Sequence, residues 1–266
     1  MSTKKIISPY ERVEMSRLPT RPKPKDFMSK LFDSFFEQCG DRCFGDDVAV
    51  TCGIAMFEGL PVTIAGTIKG TDFESSRKCN FGMPNPEGYR KFIRAIKQAE
   101  KFHRPVITFI DTPGANPAPE AEERGQGKAI ADSLYCLAGL KVPTISVFTG
   151  EGGSGGALAL GFTDKVIILK NATYSILSPE GFASILWKDS KRAKEAAAVM
   201  KLTSEELKRA GIADYIIDEK QTDDSQADFE LVIFKLRERL RKCLSDLSEL
   251  NVETLLENRY NRYRKF

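Results

Sequence analysis

The chain of 266 residues contains one histidine, His103. Imidazole is the commonest metal ligand and the usual base beside a nucleophile, so any such chemistry here must run through that one residue or do without it. The six cysteines are Cys39, Cys43, Cys52, Cys79, Cys136 and Cys243, and no two of them form a C-x-x-C pair. Cys39 and Cys43 have no second close pair downstream, so a zinc site is not expected in this chain, and free thiols are. No apolar run approaches the roughly 20 residues of a membrane span. The first 27 residues have no apolar core of signal-peptide length, and the expectation is an intracellular, cytoplasmic protein. Charge of one sign is missing too. Forty Lys and Arg against 37 Asp and Glu leave +3, which argues against a nucleic-acid or membrane-surface partner.

What remains is an ordinary globular composition, 41% hydrophobic and 29% charged. Residues 1–26 are basic and carry Pro19, Pro22 and Pro24, and read as an arm with one short helix before the prolines. Phe27, Leu31, Phe35 and Phe36 mark one face of a following helix. Val48–Phe57 and Leu60–Ile68 read as strands joined by a tight turn at Glu58-Gly59. A polar connection covers Lys69–Glu87. Tyr89, Phe92, Ile93, Ile96 and Ala99 then trace a helix face, and Val106–Ile110 is a buried strand.

A helix is expected over Glu122–Leu140, a strand over Thr144–Phe148, and a helix over Gly155–Phe162 beyond the glycines between them. Val166–Leu169 and Tyr174–Leu177 are short strands. Ser178-Pro179-Glu180 has the order of an N-cap, a first-turn proline and an early acid, opening another helix. Leu236, Leu240, Leu244 and Leu247 give the tail from Asp228 a helical stripe. The closing N-R-Y-N-R-Y-R-K-F is basic and aromatic, suited either to packing or to a partner. The whole is α/β, with one domain over 27–220, the arm before it, and a helical extension over 221–266 that packs on the domain or on a partner.

Five glycines fall within seven residues from Gly150 to Gly156. As a phosphate loop the segment lacks the Lys-Ser/Thr that should follow Gly155. As a dinucleotide fingerprint, Gly150-x-Gly152-x-x-Gly155 fits, but no acidic strand end follows about 20 residues on. Gly152-Gly153-Ser154-Gly155-Gly156 matches G-x-S-x-G, yet His103 lies upstream of the serine and the elbow pattern needs a downstream base. The remaining use is backbone chemistry. A helix starting here offers N–H groups without internal partners at its positive end, enough to hold an oxyanion without any side chain. Close packing of the backbone would explain one or two of the glycines. Asp111-Thr112-Pro113-Gly114-Ala115 forms a second strand-end turn that can line the same cleft.

Five longer segments occur in one order: Asn80–Lys91 (NFGMPNPEGYRK), Phe109–Ala115 (FIDTPGA), Ala121–Gly127 (AEERGQG), Gly150–Ala159 (GEGGSGGALA) and Ser178–Lys188 (SPEGFASILWK). Together with the closing ENRYNRYR they resemble the carboxyltransferase alpha subunits of bacterial-type acetyl-CoA carboxylases, over about residues 15–266. The resemblance implies a crotonase/ClpP-like superhelix of ββα units with flanking helices. It implies transfer of a carboxyl group from carboxybiotin, on a separate biotin carboxyl carrier protein, to acetyl-CoA, giving malonyl-CoA for fatty-acid synthesis. It implies a zinc-ribbon beta subunit as partner in an α2β2 assembly, with biotin carboxylase in the wider complex and no metal in this chain. By the same resemblance Gly155 and Gly156 belong to a biotin-side oxyanion hole, and Gly152, Gly153, Pro113, Gly114 and Ala115 shape the substrate cleft. The sequence departs from the family at Asn116-Pro117-Ala118-Pro119, where Tyr-Pro-Gly is usual, and at Lys69–Ser76, which is less basic. Two alternatives stand beside this reading: a ClpP-like or other serine hydrolase using Ser154, and a carboxyltransferase paralogue acting on another acyl-CoA.

Overall fold

Two continuous apolar runs, around Val106–Ile110 and Thr144–Phe148, become the centre of a mixed sheet. Their residues are buried throughout, as a parallel sheet covered on both faces requires. The computed structural model describes residues 7–219 and 225–266. In chain order the first half holds α1 (Pro9–Arg17), α2 (Pro24–Leu31), β1 (Asp33–Glu37), β2 (Val50–Phe57), β3 (Leu60–Thr67), α3 (Phe73–Lys78), α4 (Pro86–Lys101) and β4 (Val106–Thr112). Then come α5 (Pro119–Glu123), α6 (Gln126–Gly139), β5 (Thr144–Gly153), α7 (Ser154–Gly161), β6 (Lys165–Leu169), β7 (Thr173–Ser175) and α8 (Pro179–Trp187). The last elements are α9 (Ala193–Met200), α10 (Ser204–Arg209), β8 (Tyr215–Ile217), α11 (Ser225–Ser248) and α12 (Val252–Arg264).

Among the described residues the strands run β1-β2-β3-β4-β5-β6-β8, and β7 adds to the far end of β5. The pairs β1–β2 and β2–β3 are antiparallel, and the rest are parallel. Glu58-Gly59 makes the expected hairpin between β2 and β3, with both residues at positive φ. Parallel pairing forces each return connection across a sheet face, and helices α4, α6 and α7 fill those crossovers. Tyr89, Phe92 and Ile96 of α4 are fully buried, each contributing about 2–3 kcal/mol of burial.

Three local expectations change. The helix face through Phe35 and Phe36 ends at Leu31, and both phenylalanines lie on β1, exposed. Edge pairing with β2 outweighs the helical spacing there. Gly53 permits it, because a Cβ at that position would sit 2.1 Å from the Phe36 carbonyl oxygen. The helix over Glu122–Leu140 is two helices, broken at Gly125, which adopts φ +85°. The polar connection over Lys69–Glu87 contains α3, a 3-10 turn at Asn80–Gly82 and the start of α4.

The basic, aromatic C-terminus packs inward. Arg259 is 1% exposed, and all five of its N–H donors are used. Its Nε and Nη2 donate to the two Asp164 carboxylate oxygens, each at 2.7 Å. The others reach the carbonyls of Leu137, Leu140 and Val142 at 2.7, 2.6 and 3.1 Å. One side chain thus joins α12, the end of α6 and the start of β6. Tyr263 donates from its hydroxyl to Thr163 O at 2.9 Å and stacks on Phe162. The leucine stripe of α11 is buried at Leu236, Leu240, Leu244 and Leu247.

Removing one member of a buried, fully bonded ion pair strands its partner and typically costs about 3–5 kcal/mol. Arg259→Ala should lose about that much in a denaturant titration. Arg259→Lys should recover only a minor part, since an ammonium cannot reproduce the planar fork. A loss under about 1 kcal/mol for the alanine variant would contradict the role given to this residue.

Candidate active site

The glycine segment is not a loop. β5 continues through it, with Glu151, Gly152 and Gly153 paired to Thr173, Tyr174 and Ser175 of β7 and Gly152 also paired to Thr112 of β4. The chain turns from strand to helix at one joint, Gly153–Ser154. Ser154 holds φ +48°, in the left-handed region that costs a non-glycine residue of order 1 kcal/mol.

Glycine is required here mostly because neighbouring backbone or side chains lie against it. A Cβ at Gly153 would be 1.9 Å from the Pro113 carbonyl oxygen, and one at Gly156 would be 2.3 Å from the Ala115 nitrogen. At Gly150 it would meet the Asp111 carboxylate at 2.5 Å, and at Gly152 the Phe148 ring at 2.7 Å. Close approach therefore accounts for four of the five, where the sequence suggested one or two. Gly155 differs: its Cβ direction meets only Ile130, at an ordinary 3.6 Å.

All seven residues singled out from the sequence line one cleft of about 720 Å³: Pro113, Gly114, Ala115, Gly152, Gly153, Gly155 and Gly156. Gly114 sits at φ +142° in the turn that Gly153 and Gly156 press against. Thr112 organises this turn, its hydroxyl donating to Gly82 O at 2.6 Å and accepting from Gly114 N at 3.1 Å. No side chain caps α7, so its first N–H groups remain free of side-chain partners at the cleft. Ile130 and Gln126 of α6 and Ser178-Pro179-Glu180 at the start of α8 form further parts of the wall. Ser178 caps α8 as expected, accepting from Gly181 N at 3.0 Å.

The serine-hydrolase alternative fails on distance. His103 is exposed, in the turn just before β4, level with the start of β5. Ser154 lies at the other end of β5, about ten residues of strand away or roughly 30 Å at about 3.3 Å per residue. The strained elbow is present and the base is absent. Among the described residues no group of three or more His, Cys, Asp or Glu is placed to hold a metal ion, and no helix is long and apolar enough to cross a membrane.

Sequence reasoning missed an ionic chain beside the cleft. Lys69 Nζ donates to Asp111 Oδ1 at 2.7 Å and reaches Glu151 Oε2 at 3.4 Å. Arg17 Nε donates to Glu151 Oε1 at 2.7 Å, and Arg17 Nη1 to Glu180 Oε1 at 3.0 Å. Burial opposes charge on Arg17, but Glu151 and Glu180 outweigh it and raise its pKa. Burial likewise opposes ionisation of Glu180, yet hydrogen bonds, including that from Arg17, hold its pKa below the usual range. Lys23 nearby is lowered, by burial first and by Lys69 and Arg21 among its neighbours. Nothing in the local spacing of Arg17 signals this role; only the packing of α1 brings it to the cleft.

One departure from the family pattern lies in the cleft, and the other touches it only through Lys69. Asn116 lines the cleft, bonds Asn85 Oδ1 through its Nδ2 at 2.8 Å and accepts from Ala118 N at 3.0 Å, an Asx turn that shapes the wall. Lys69 belongs to the ionic chain.

A cleft of this kind, at the ends of parallel strands beside a helix start that no side chain caps, is a place where main-chain N–H groups can stabilise developing negative charge. Residues 2–266 match the family model described as acetyl co-enzyme A carboxylase carboxyltransferase-like. The chain is 52% identical over 265 residues to the acetyl-coenzyme A carboxylase carboxyl transferase subunit alpha of Clostridium acetobutylicum, covering 100% of this chain and 96% of that one. It is 50% identical over 263 residues to the subunits beta/alpha protein of Natranaerobius thermophilus, covering 98% of this chain and 43% of that longer one. The structure of transcarboxylase 12S, with methylmalonyl-coenzyme A and methylmalonic acid bound, superposes at a TM-score of 0.71 with 17% identity, over 93% of this chain and 46% of that one. The chain belongs to the acetyl-CoA carboxylase carboxyltransferase family, and its fold is of the crotonase type. It is a biotin-dependent carboxyltransferase of the alpha-subunit kind.

Experiment should separate the glycines into two classes. Gly155→Ala should keep the thermal midpoint, since the methyl has room and alanine favours a helix by up to about 1 kcal/mol. Gly153→Ala and Gly156→Ala should each lower stability by about 1–3 kcal/mol or more through overpacking. Gly155→Val should cut turnover more than Ser154→Ala does. Equal losses from those two would contradict a backbone site.

Proposed function

We propose that this chain is the alpha subunit of an acetyl-CoA carboxylase carboxyltransferase, moving a carboxyl group from carboxybiotin to acetyl-CoA and giving malonyl-CoA for fatty-acid synthesis. The carrier is a separate biotin carboxyl carrier protein, charged by biotin carboxylase. The partner is a zinc-ribbon beta subunit in an α2β2 assembly, and this chain binds no metal.

The observation that carries this reading is the uncapped start of α7 opening on the cleft at Gly155, the one glycine of the segment where a Cβ would meet nothing closer than ordinary contact distance. Biotin would suit the start of α7, because its ureido oxygen needs N–H donors and Gly155 and Gly156 offer theirs there with no side-chain cap in the way. When bound, carboxybiotin supplies the activated carboxyl group. Gly155 and Gly156 would hold the ureido oxygen through their backbone N–H groups and so favour negative charge on it. A donor of this kind is worth about 3 kcal/mol in the transition state, and the helix dipole strengthens it. Gly152 and Gly153 keep the floor flat. Pro113, Gly114 and Ala115 close the opposite side and exclude water. No histidine lines the cleft, and biotin when bound would supply a nitrogen able to accept a proton.

The test is reconstitution. Mixed with a beta subunit of the family, the chain should convert malonyl-CoA and biocytin to acetyl-CoA and carboxybiocytin. Alone it should do neither. Full activity without beta would refute the two-subunit assignment, and no activity with several beta subunits would refute the reaction.

A further inference from the structure

Five ionic side chains from five different segments meet along one side of the cleft in the order Asp111, Lys69, Glu151, Arg17, Glu180. They come from β4, the segment after β3, β5, α1 and α8. Asp111 is fully buried and also accepts from the backbone nitrogen of Glu151 at 3.0 Å, so it holds the glycine strand directly. Glu151 stands between Gly150 and Gly152, on the same strand that ends at the start of α7. Glu180 stands in the first turn of α8, whose opening residues form the cleft rim. Arg17 forms an ionic link between that rim and the glycine strand, and it lines the cleft itself.

The rest of α1 is anchored independently. Val13 packs with Ala197 and Leu202, and Arg12 pairs with Glu205 at 3.7 Å and donates to the Asn171 side chain. The helix therefore presents Arg17 from a fixed base. The Arg17 and Glu180 side chains remain 33% and 38% exposed. A pair this accessible adds little to global stability, typically under about 1 kcal/mol. Its geometric effect is larger: it ties a rim to a floor.

We propose that Arg17 is a positioning residue for carboxyl transfer, latching the α8 rim to the glycine strand so that the cleft keeps the shape in which the Gly155 N–H meets the ligand. This rests on the carboxyltransferase reading for its kinetic part and on geometry alone for its mechanical part. Glu180 is the latch's second half, and Lys69 with Asp111 is its fixed end.

The experiment uses the full chain, alone and with beta, carrying Arg17→Met, Arg17→Lys, Glu180→Gln, the Arg17→Met/Glu180→Gln pair, and Arg12→Met as the control for anchoring of α1. Hydrogen exchange over residues 176–187 should speed up in Arg17→Met and Glu180→Gln, and stay near the unaltered rate in Arg12→Met. In the assembled enzyme kcat should fall about 10- to 100-fold in Arg17→Met, the range that small misplacements of reacting groups produce. Arg17→Lys should restore part of it. The double variant should lose no more than Arg17→Met alone, because both changes open one latch. Unchanged exchange in Arg17→Met would overturn the latch. Faster exchange with kcat unchanged would overturn its role in positioning, and so would an equal loss of kcat in Arg12→Met. Absence of transfer by the unaltered pair of subunits would count against the carboxyltransferase reading instead, and the exchange arm would still decide the latch.

Discussion

The structure turns on one backbone crossing. The end of β5 and the first turn of α7 lie directly on the Pro113–Ala115 turn, with Gly153 against the Pro113 carbonyl and Gly156 against the Ala115 nitrogen. No side chain fits between them. This contact brings two strand ends together, sets the cleft between them and points the start of α7 into it. The same contact explains why a polar, helix-starting sequence can serve as a central strand: β4 and β7 pair with it and supply the order that glycine lacks on its own.

Around that crossing the molecule spends its buried charges on joining segments that are distant in sequence. Arg259 ties α12 to the end of α6 and the start of β6 with every donor satisfied. Asp111, Lys69 and Glu151 do the equivalent beneath the cleft. The two systems differ in exposure. The Arg259 pair is sealed and specifies packing, while the chain through Arg17 and Glu180 opens to solvent at the cleft.

Much of this was legible in the sequence, for physical reasons. The strands at Val106 and Thr144 announced themselves because fully buried strands need unbroken apolar runs. The helix at Pro179 did so because capping chemistry is local. The seven cleft residues followed from ordered motifs resembling one family, and they do line one cleft. The helix expected through Phe35 and Phe36 failed because edge pairing with β2 is a tertiary effect that spacing cannot report. The loop expected at Gly150–Gly153 is strand because its partners lie about 20 and 40 residues away. Arg17 was invisible within a basic, proline-rich arm, since its role depends wholly on where α1 packs. Packing also settled the tail: Arg259 and Tyr263 face inward.

The central claim is that main-chain N–H groups at the start of α7, rather than the Ser154 side chain, hold the reacting oxygen. The most direct test is a structure of the alpha–beta assembly with biotin bound. The account predicts the ureido oxygen at about 2.7–3.1 Å from the nitrogens of Gly155 and Gly156. A ureido oxygen bonded to the Ser154 hydroxyl, or a biotin ring seated away from Gly155, would contradict it.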